Sequence, residues 1–312
     1  MPSLRPRPAH ARGARRGLAV CSLAVASMVV LAACGAAQEV EAGVPGPTAS
    51  AHSPAPTPRT DPSPSPTTTP TTQGPVPPSR RTRPSLVGDG ANAWAFAPID
   101  SPEEVVVEGS VPRQRAWSTS KVLIAAAFLA EVAVGDPTRL SAEQDGWVRS
   151  AMSASDLDSL LAMRRAIGGD RQATLQAVLT GVGDEVSEVP TAKEGTMDWA
   201  IEDQVRFMAA LARGEVVSPA ASAYLLETMQ PVESLQWGLS TIDAEAVKGG
   251  WLTPSTETRQ MGIVGEYAVA IITDAVGPAV VQVDGDAAHV EQMNRLATML
   301  GERLSPQRRP PG

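Results

Sequence analysis

Residues 118–121 read Ser-Thr-Ser-Lys and lead straight into an apolar run, Val-Leu-Ile-Ala-Ala-Ala-Phe-Leu-Ala. Two chemistries compete for that tetrapeptide. Ser118 or Thr119 can cap the helix that the apolar run predicts, with Lys121 a solvated first-turn residue. Alternatively, Ser118 is a nucleophile and Lys121 its base. Residues three apart share a helix face, so these two side chains can meet at the helix start. The free N–H groups and positive dipole end there suit a developing oxyanion.

Lysine is scarce in this chain. Of 26 Lys plus Arg, only Lys121, Lys193 and Lys248 are lysine. Arginine keeps its proton in a protein, whereas a partly buried lysine can lose it and serve as a base. A Ser-x-x-Lys match alone is weak, but two further segments accompany it. Ser155-Asp156 opens a second helical pattern, and Lys248-Gly249-Gly250-Trp251 lies in a strand-like run near the C-terminus. Each has an ordinary reading too: Ser155 as the cap of a 156–167 helix, Lys248 as an edge-strand charge, Trp251 as core or rim.

This ordered set resembles the penicillin-recognising serine enzymes, the class A β-lactamases and penicillin-binding D,D-peptidases, with their S-x-x-K, S-D-N or S-x-N, and K-T-G or K-S-G motifs. More closely, "DQVRFMAALARGEVVSP", "QWGLS" and "KGGWL" look like the β-lactamase-like serine hydrolase lipoproteins of actinobacterial type. The resemblance spans nearly the whole domain. It implies that Ser118 attacks, Lys121 activates it, and Ser155 relays a proton to the leaving nitrogen. Lys248 would hold a substrate carboxylate and help depress the pKa of Lys121. The oxyanion hole would pair the N–H groups of Ser118 and Trp251, with Gly249 and Gly250 letting the strand approach the substrate.

The sequence departs from the family pattern in several places. Leu157 stands where S-D-N has its amide, and Gly249 where K-T-G has its hydroxyl. The E-x-x-L-N deacylation motif of class A enzymes is missing. Glu185, Glu188 and Glu194 occur in the corresponding loop without that setting, and the interval from Ser118 to Ser155 is short. Arg259 is expected to be a solvated strand end, or else a second carboxylate-binding charge. Such losses weaken binding and deacylation more than nucleophile activation. The implied activity is a serine hydrolase acting on an amide, ester or β-lactam carbonyl with weak turnover. The alternative is a catalytically degenerate module that binds peptidoglycan or a protein.

Other classes fit poorly. A Ser-His-Asp hydrolase needs a histidine, and the domain has only His289; no G-x-S-x-G elbow occurs. One histidine and no retained thiol cannot build a zinc site. No phosphate loop or dinucleotide fingerprint is present, so neither metal nor cofactor is expected.

The remaining chain implies where such an enzyme works. Arg5, Arg7, Arg12, Arg15 and Arg16 precede an apolar stretch from Gly17 to Ala33, ending Leu31-Ala32-Ala33-Cys34. This resembles a lipoprotein signal peptide spanning residues 1–33, with lipid carried on the Cys34 sulfur. Loss of those five arginines takes the formal charge from −8 to −13, which argues against a nucleic-acid partner. Residues 34–86, rich in Pro, Ser and Thr, read as a disordered tether. At ~3.1 Å per residue it spans roughly 150 Å. The expected location is the outer face of the bacterial cytoplasmic membrane, and a monomer is expected.

Residues 87–304 read as one domain and 305–312 as a disordered tail. Strand-like runs at 91–99 and 103–109 come first. Helical patterns follow at 119–133, 141–151, 155–167, 170–180, 199–213 and 218–229. Three strand-like runs and an amphipathic helix over 286–303 close the domain. Early and late strands around a helical block predict an α+β fold, an antiparallel sheet formed by both ends of the domain plus a mostly helical block.

Overall fold

A computed structural model describes residues 83–251, 256–274, 276 and 287–305. The predicted signal peptide, Cys34, most of the tether and most of the C-terminal tail lie outside them. The chain enters with β1 (Asn92–Pro98) and β2 (Val106–Gly109), and six helices follow: α1 (Ser120–Glu131), α2 (Ala142–Ser153), α3 (Leu157–Ala166), α4 (Arg171–Gly181), α5 (Ile201–Ala212) and α6 (Pro219–Thr228). It closes with β3 (Ala246–Trp251), β4 (Thr258–Val264), β5 (Tyr267–Thr273) and α7 (Ala287–Leu304).

The five strands form one sheet in the order β2-β1-β5-β4-β3, antiparallel throughout. The predicted α+β class and the sheet built from both ends are both found. One strand is shorter than expected. Residues 103 and 104 of the 103–109 run fall in a 3-10 turn that starts at Pro102, which lacks the N–H a strand ladder needs.

Strand alternation sorts the residues into two cores. Ala93, Ala95, Ala97, Ala268 and Ala270 face the helical block, and their small side chains let α5 lie close on the sheet. Trp94, Val269 and Ile271 face the other way, against Met293, Leu296, Ala297 and Leu300 of α7. Val290 and Met299 sit at the margin of this core, where Ala297 takes a central place. Leu86, at the end of the expected tether, joins the same core, and its N–H donates to Glu108 Oε2 at 3.0 Å.

α1 explains its own greasiness. Every residue from Ser120 to Leu129 is buried, because α1 runs through the helical block with α2, α3, α4 and α6 around it. A helix apolar on all sides needs such a central place. The surrounding helices start where capping chemistry dictates: Ser141 makes a capping box with Gln144, Asp170 accepts from Ala173 N, and Ser218 from Ala221 N. The start of α1 is thereby fixed in the interior, at the edge of β3.

Candidate active site

The three hydroxyls of Ser-Thr-Ser do different work. Thr119 Oγ1 donates to Ala116 O at 2.5 Å, and Ser120 Oγ to Trp117 O at 2.7 Å. Gln204 Nε2 of α5 donates to Thr119 Oγ1 at 2.8 Å, tying the turn to the sheet-packed helix. Ser118 is the one left facing Lys121, whose Nζ lies 2.8 Å from its Oγ. No side chain caps α1, so the capping reading of Ser118 and Thr119 fails.

Ser155 is not a cap either. Asp156 takes that place for α3, accepting from Ser159 N at 2.7 Å. Ser155 itself sits at φ 57, a left-handed conformation uncommon for a residue with a side chain. Its Oγ is thereby turned onto both lysines, 3.3 Å from Lys121 Nζ and 2.9 Å from Lys248 Nζ. Trp117, just before Ser118, is likewise left-handed at φ 45. Both residues stand beside hydroxyls that contact lysine, and backbone strain of this kind recurs at functional sites.

Lys248 does lie on an edge strand, but it is not the exposed edge charge of the ordinary reading. It points from β3 into the protein, 2% exposed, and donates to Gly249 O at 3.0 Å as well as to Ser155. Burial pushes Lys121 down to about 8, with the charge of Asp156 opposing. Burial first, and then the charge of Lys121, pushes Lys248 well below the ordinary lysine value. A lysine near 8 holds an appreciable neutral fraction at neutral pH, as a base for Ser118 must.

Gly250 brings β3 against the turn. A Cβ there would stand 2.9 Å from Ala116 O and 3.0 Å from the N atoms of Ser118 and Thr119, all backbone. A Cβ at Gly249 would point to the other face, 3.2 Å from the Trp251 ring and 3.7 Å from Trp237. Gly250→Ala should therefore push β3 off the turn and slow serine labelling by about 100-fold, the scale expected for an ångström of misplacement. Gly249→Ala should cost far less, because it meets side chains that can shift. Labelling rates of the two purified variants check the contrast.

Arg259 corrects an expectation. It is neither a solvated strand end nor a ligand-facing charge: it is fully buried, and burial lowers its pKa to about 10. Its guanidinium donates to Arg115 O at 2.6 Å and Trp199 O at 3.2 Å, bracing the backbone that leads into Ser118. The three glutamates of the 182–199 loop are also accounted for. Glu185 and Glu188 are exposed, while Glu194 is buried and accepts from both Arg164 (3.0 Å) and Arg171 (3.2 Å).

A cleft of about 270 Å³ opens over Ser118 and Lys121, walled by Trp117, Leu157, Leu160 and Trp251. Lys193, Gly195 and Thr196 line it too, and no carboxylate does among the described residues. The roles of Leu160 and of the 193–196 turn were missed in the sequence. Only the i, i+3 spacing of two leucines could have pointed to Leu160.

No protein-family model and no curated protein matches the sequence. Solved structures do resemble the fold. A β-lactamase from Chitinophaga pinensis aligns with a TM-score of 0.54 at 16% identity, over 69% of this chain and 94% of that one. A β-lactamase from Sphaerobacter thermophilus aligns at 0.51 and 17%, over 70% and 93%. PBP-A aligns at 0.52 and 18%, over 69% and 90%. The chain has the β-lactamase-like fold. In this β-lactamase-like chain, Ser118, Lys121, Ser155 and Lys248 converge from two helix starts and an edge strand, with Gly250 and Trp251 beside them.

Proposed function

We propose that this chain is a serine acyl-transfer hydrolase in which Ser118 is the nucleophile and Lys121 the base. The observation that carries the reading is the 2.8 Å contact between Ser118 Oγ and a buried lysine, with no cap bond competing for the hydroxyl. Neutral Lys121 takes the Ser118 proton as Oγ attacks the carbonyl. The N–H groups of Ser118 and Trp251 are assigned to the oxyanion. When the bond to the leaving group breaks, Ser155 donates its proton and recovers one from a neighbouring ammonium. Water then hydrolyses the acyl-enzyme. With no carboxylate lining the cleft among the described residues, that last step is assigned as the slow one.

The substrate is assigned to the class of amide, ester or β-lactam carbonyls, peptidoglycan peptides among them. The chain is further proposed to act from the outer face of the cytoplasmic membrane, held by lipid on Cys34. Cys34→Ala should release the protein from the membrane fraction; unchanged retention of the variant would exclude this anchor.

Acylation has an expected pH profile. Lys121 must be neutral to act, so the labelling rate should rise with pH through a midpoint near 8 and level off above it. Rates measured with a fluorophosphonate from pH 6 to 10 check this; a profile flat across that range removes Lys121 as the base. Leu157, Gly249 and the lack of a cleft carboxylate favour a second reading, a non-catalytic module that binds peptidoglycan or a protein. Absence of any covalent label on the wild-type protein would favour that second reading.

A further inference from the structure

We infer that the cleft over Ser118 selects an apolar, uncharged acyl group, such as a short aliphatic ester, over substrates that carry a carboxylate beside the scissile bond. The inference rests on Ser118 being the nucleophile proposed above. It follows from what the walls offer and from where the cationic groups have gone.

Three candidate carboxylate receptors are spent elsewhere. Lys248 is buried, bonded to Ser155 Oγ and Gly249 O, and does not line the cleft. Burial together with the Lys121 charge also disfavours its charged form. Position 249 has no hydroxyl, and a side chain there would run into Trp251 and Trp237 rather than into open space. Arg259 gives its guanidinium to two backbone carbonyls behind the turn. Among the described residues, the cation left at the cleft besides Lys121 is exposed Lys193, on the turn bearing Gly195 and Thr196.

The walls supply the opposite chemistry. Leu157 is 59% exposed and lines the cleft, with Leu160 three residues along the same helix face. Trp117 and Trp251 complete an apolar surround for the Ser118–Lys121 pair. An acyl chain laid against Leu157 removes that side chain from water, which a polar group would not. The cleft, about 270 Å³, suits a short chain or a single ring. In the reaction, Ser118 Oγ bonds to the acyl carbon and its proton passes to Lys121. The ester C–O bond breaks and the alcohol leaves with a proton from Ser155. Water finally releases the free acid.

The test measures p-nitrophenol release from p-nitrophenyl acetate, propionate, butyrate and hemisuccinate, beside fluorophosphonate labelling of Ser118. Each methylene from acetate to butyrate should raise kcat/KM about fourfold, the value of one buried CH2. The hemisuccinate should react more slowly than butyrate, and Leu157→Asn should shrink the butyrate-to-acetate ratio. Label on Ser118 with a flat or absent ester series, or a faster hemisuccinate, overturns the inference while leaving the nucleophile in place. So does a butyrate-to-acetate ratio untouched by Leu157→Asn. A hemisuccinate advantage that disappears in Lys193→Ala would identify Lys193 as the carboxylate receptor and reject the apolar assignment. If neither label nor ester reaction occurs, the serine-hydrolase reading itself fails.

Discussion

Ser118→Gly should give a folded protein that takes no serine-directed label, a loss of at least about a thousand-fold in rate. The structure separates this outcome from a capping effect. A capping serine replaced by Gly costs only a few tenths of a kcal/mol, and the Ser118 side chain caps no helix N–H; among the described residues its hydroxyl partner is Lys121. Thermal stability should stay close to wild type while labelling vanishes. Lys121→Arg should abolish labelling as well, because Arg keeps its proton. Lys121 is 5% exposed, so a larger and permanently charged side chain there also strains the fold. Lys121→Met is the cleaner partner: it keeps length, removes a desolvated amine, and should melt no lower than wild type while remaining unlabelled. Labelling retained in Ser118→Gly would move the nucleophile elsewhere.

Truncation after residue 285 should unfold the domain. α7 brings Met293, Leu296, Ala297 and Leu300 onto Trp94, Val269 and Ile271 across the sheet. Burying Met293, Leu296 and Leu300 alone is worth about 1.5–3 kcal/mol each, comparable in sum with the 5–15 kcal/mol that stabilises a typical domain. Polar anchors go with them. Gln292 Nε2 donates to buried Asn92 Oδ1 at 2.6 Å, Asn294 Oδ1 accepts from Gly238 N at 2.6 Å, and Arg303 pairs with buried Glu108 at 2.9 Å. Loss of α7 takes the Asn294 acceptor from Gly238 N and removes one partner each from Asn92 and Glu108. A truncated chain that keeps the wild-type melting transition in circular dichroism would contradict this packing.

Much of the architecture was legible because it rests on local signals. Short continuous apolar runs such as 266–274 and capped, apolar-periodic segments such as 141–151 carry their own structure. The order of strands and helices then leaves little choice of sheet. The candidate site was legible for a related reason: Ser118 and Lys121 are one helix turn apart, so their meeting needs no tertiary knowledge. What failed depended on long-range burial. Arg259 reads as a strand-end charge until the carbonyls of Arg115 and Trp199 are seen around it. Glu194 reads as a loop acid until Arg164 and Arg171, from two different helices, close on it. Ser155 and Asp156 are equally good caps by type. The left-handed backbone of Ser155, which frees its hydroxyl for two lysines, is a tertiary outcome.

The central claim is that Ser118 and Lys121 form a reactive pair. Intact-protein mass spectrometry after incubation with a fluorophosphonate and with a penicillin, followed by peptide mapping, tests it most directly. The account predicts a single adduct with the fluorophosphonate, located on Ser118, persisting because no cleft carboxylate assists its removal. An unmodified mass with both reagents, or an adduct mapped to another residue, would contradict it.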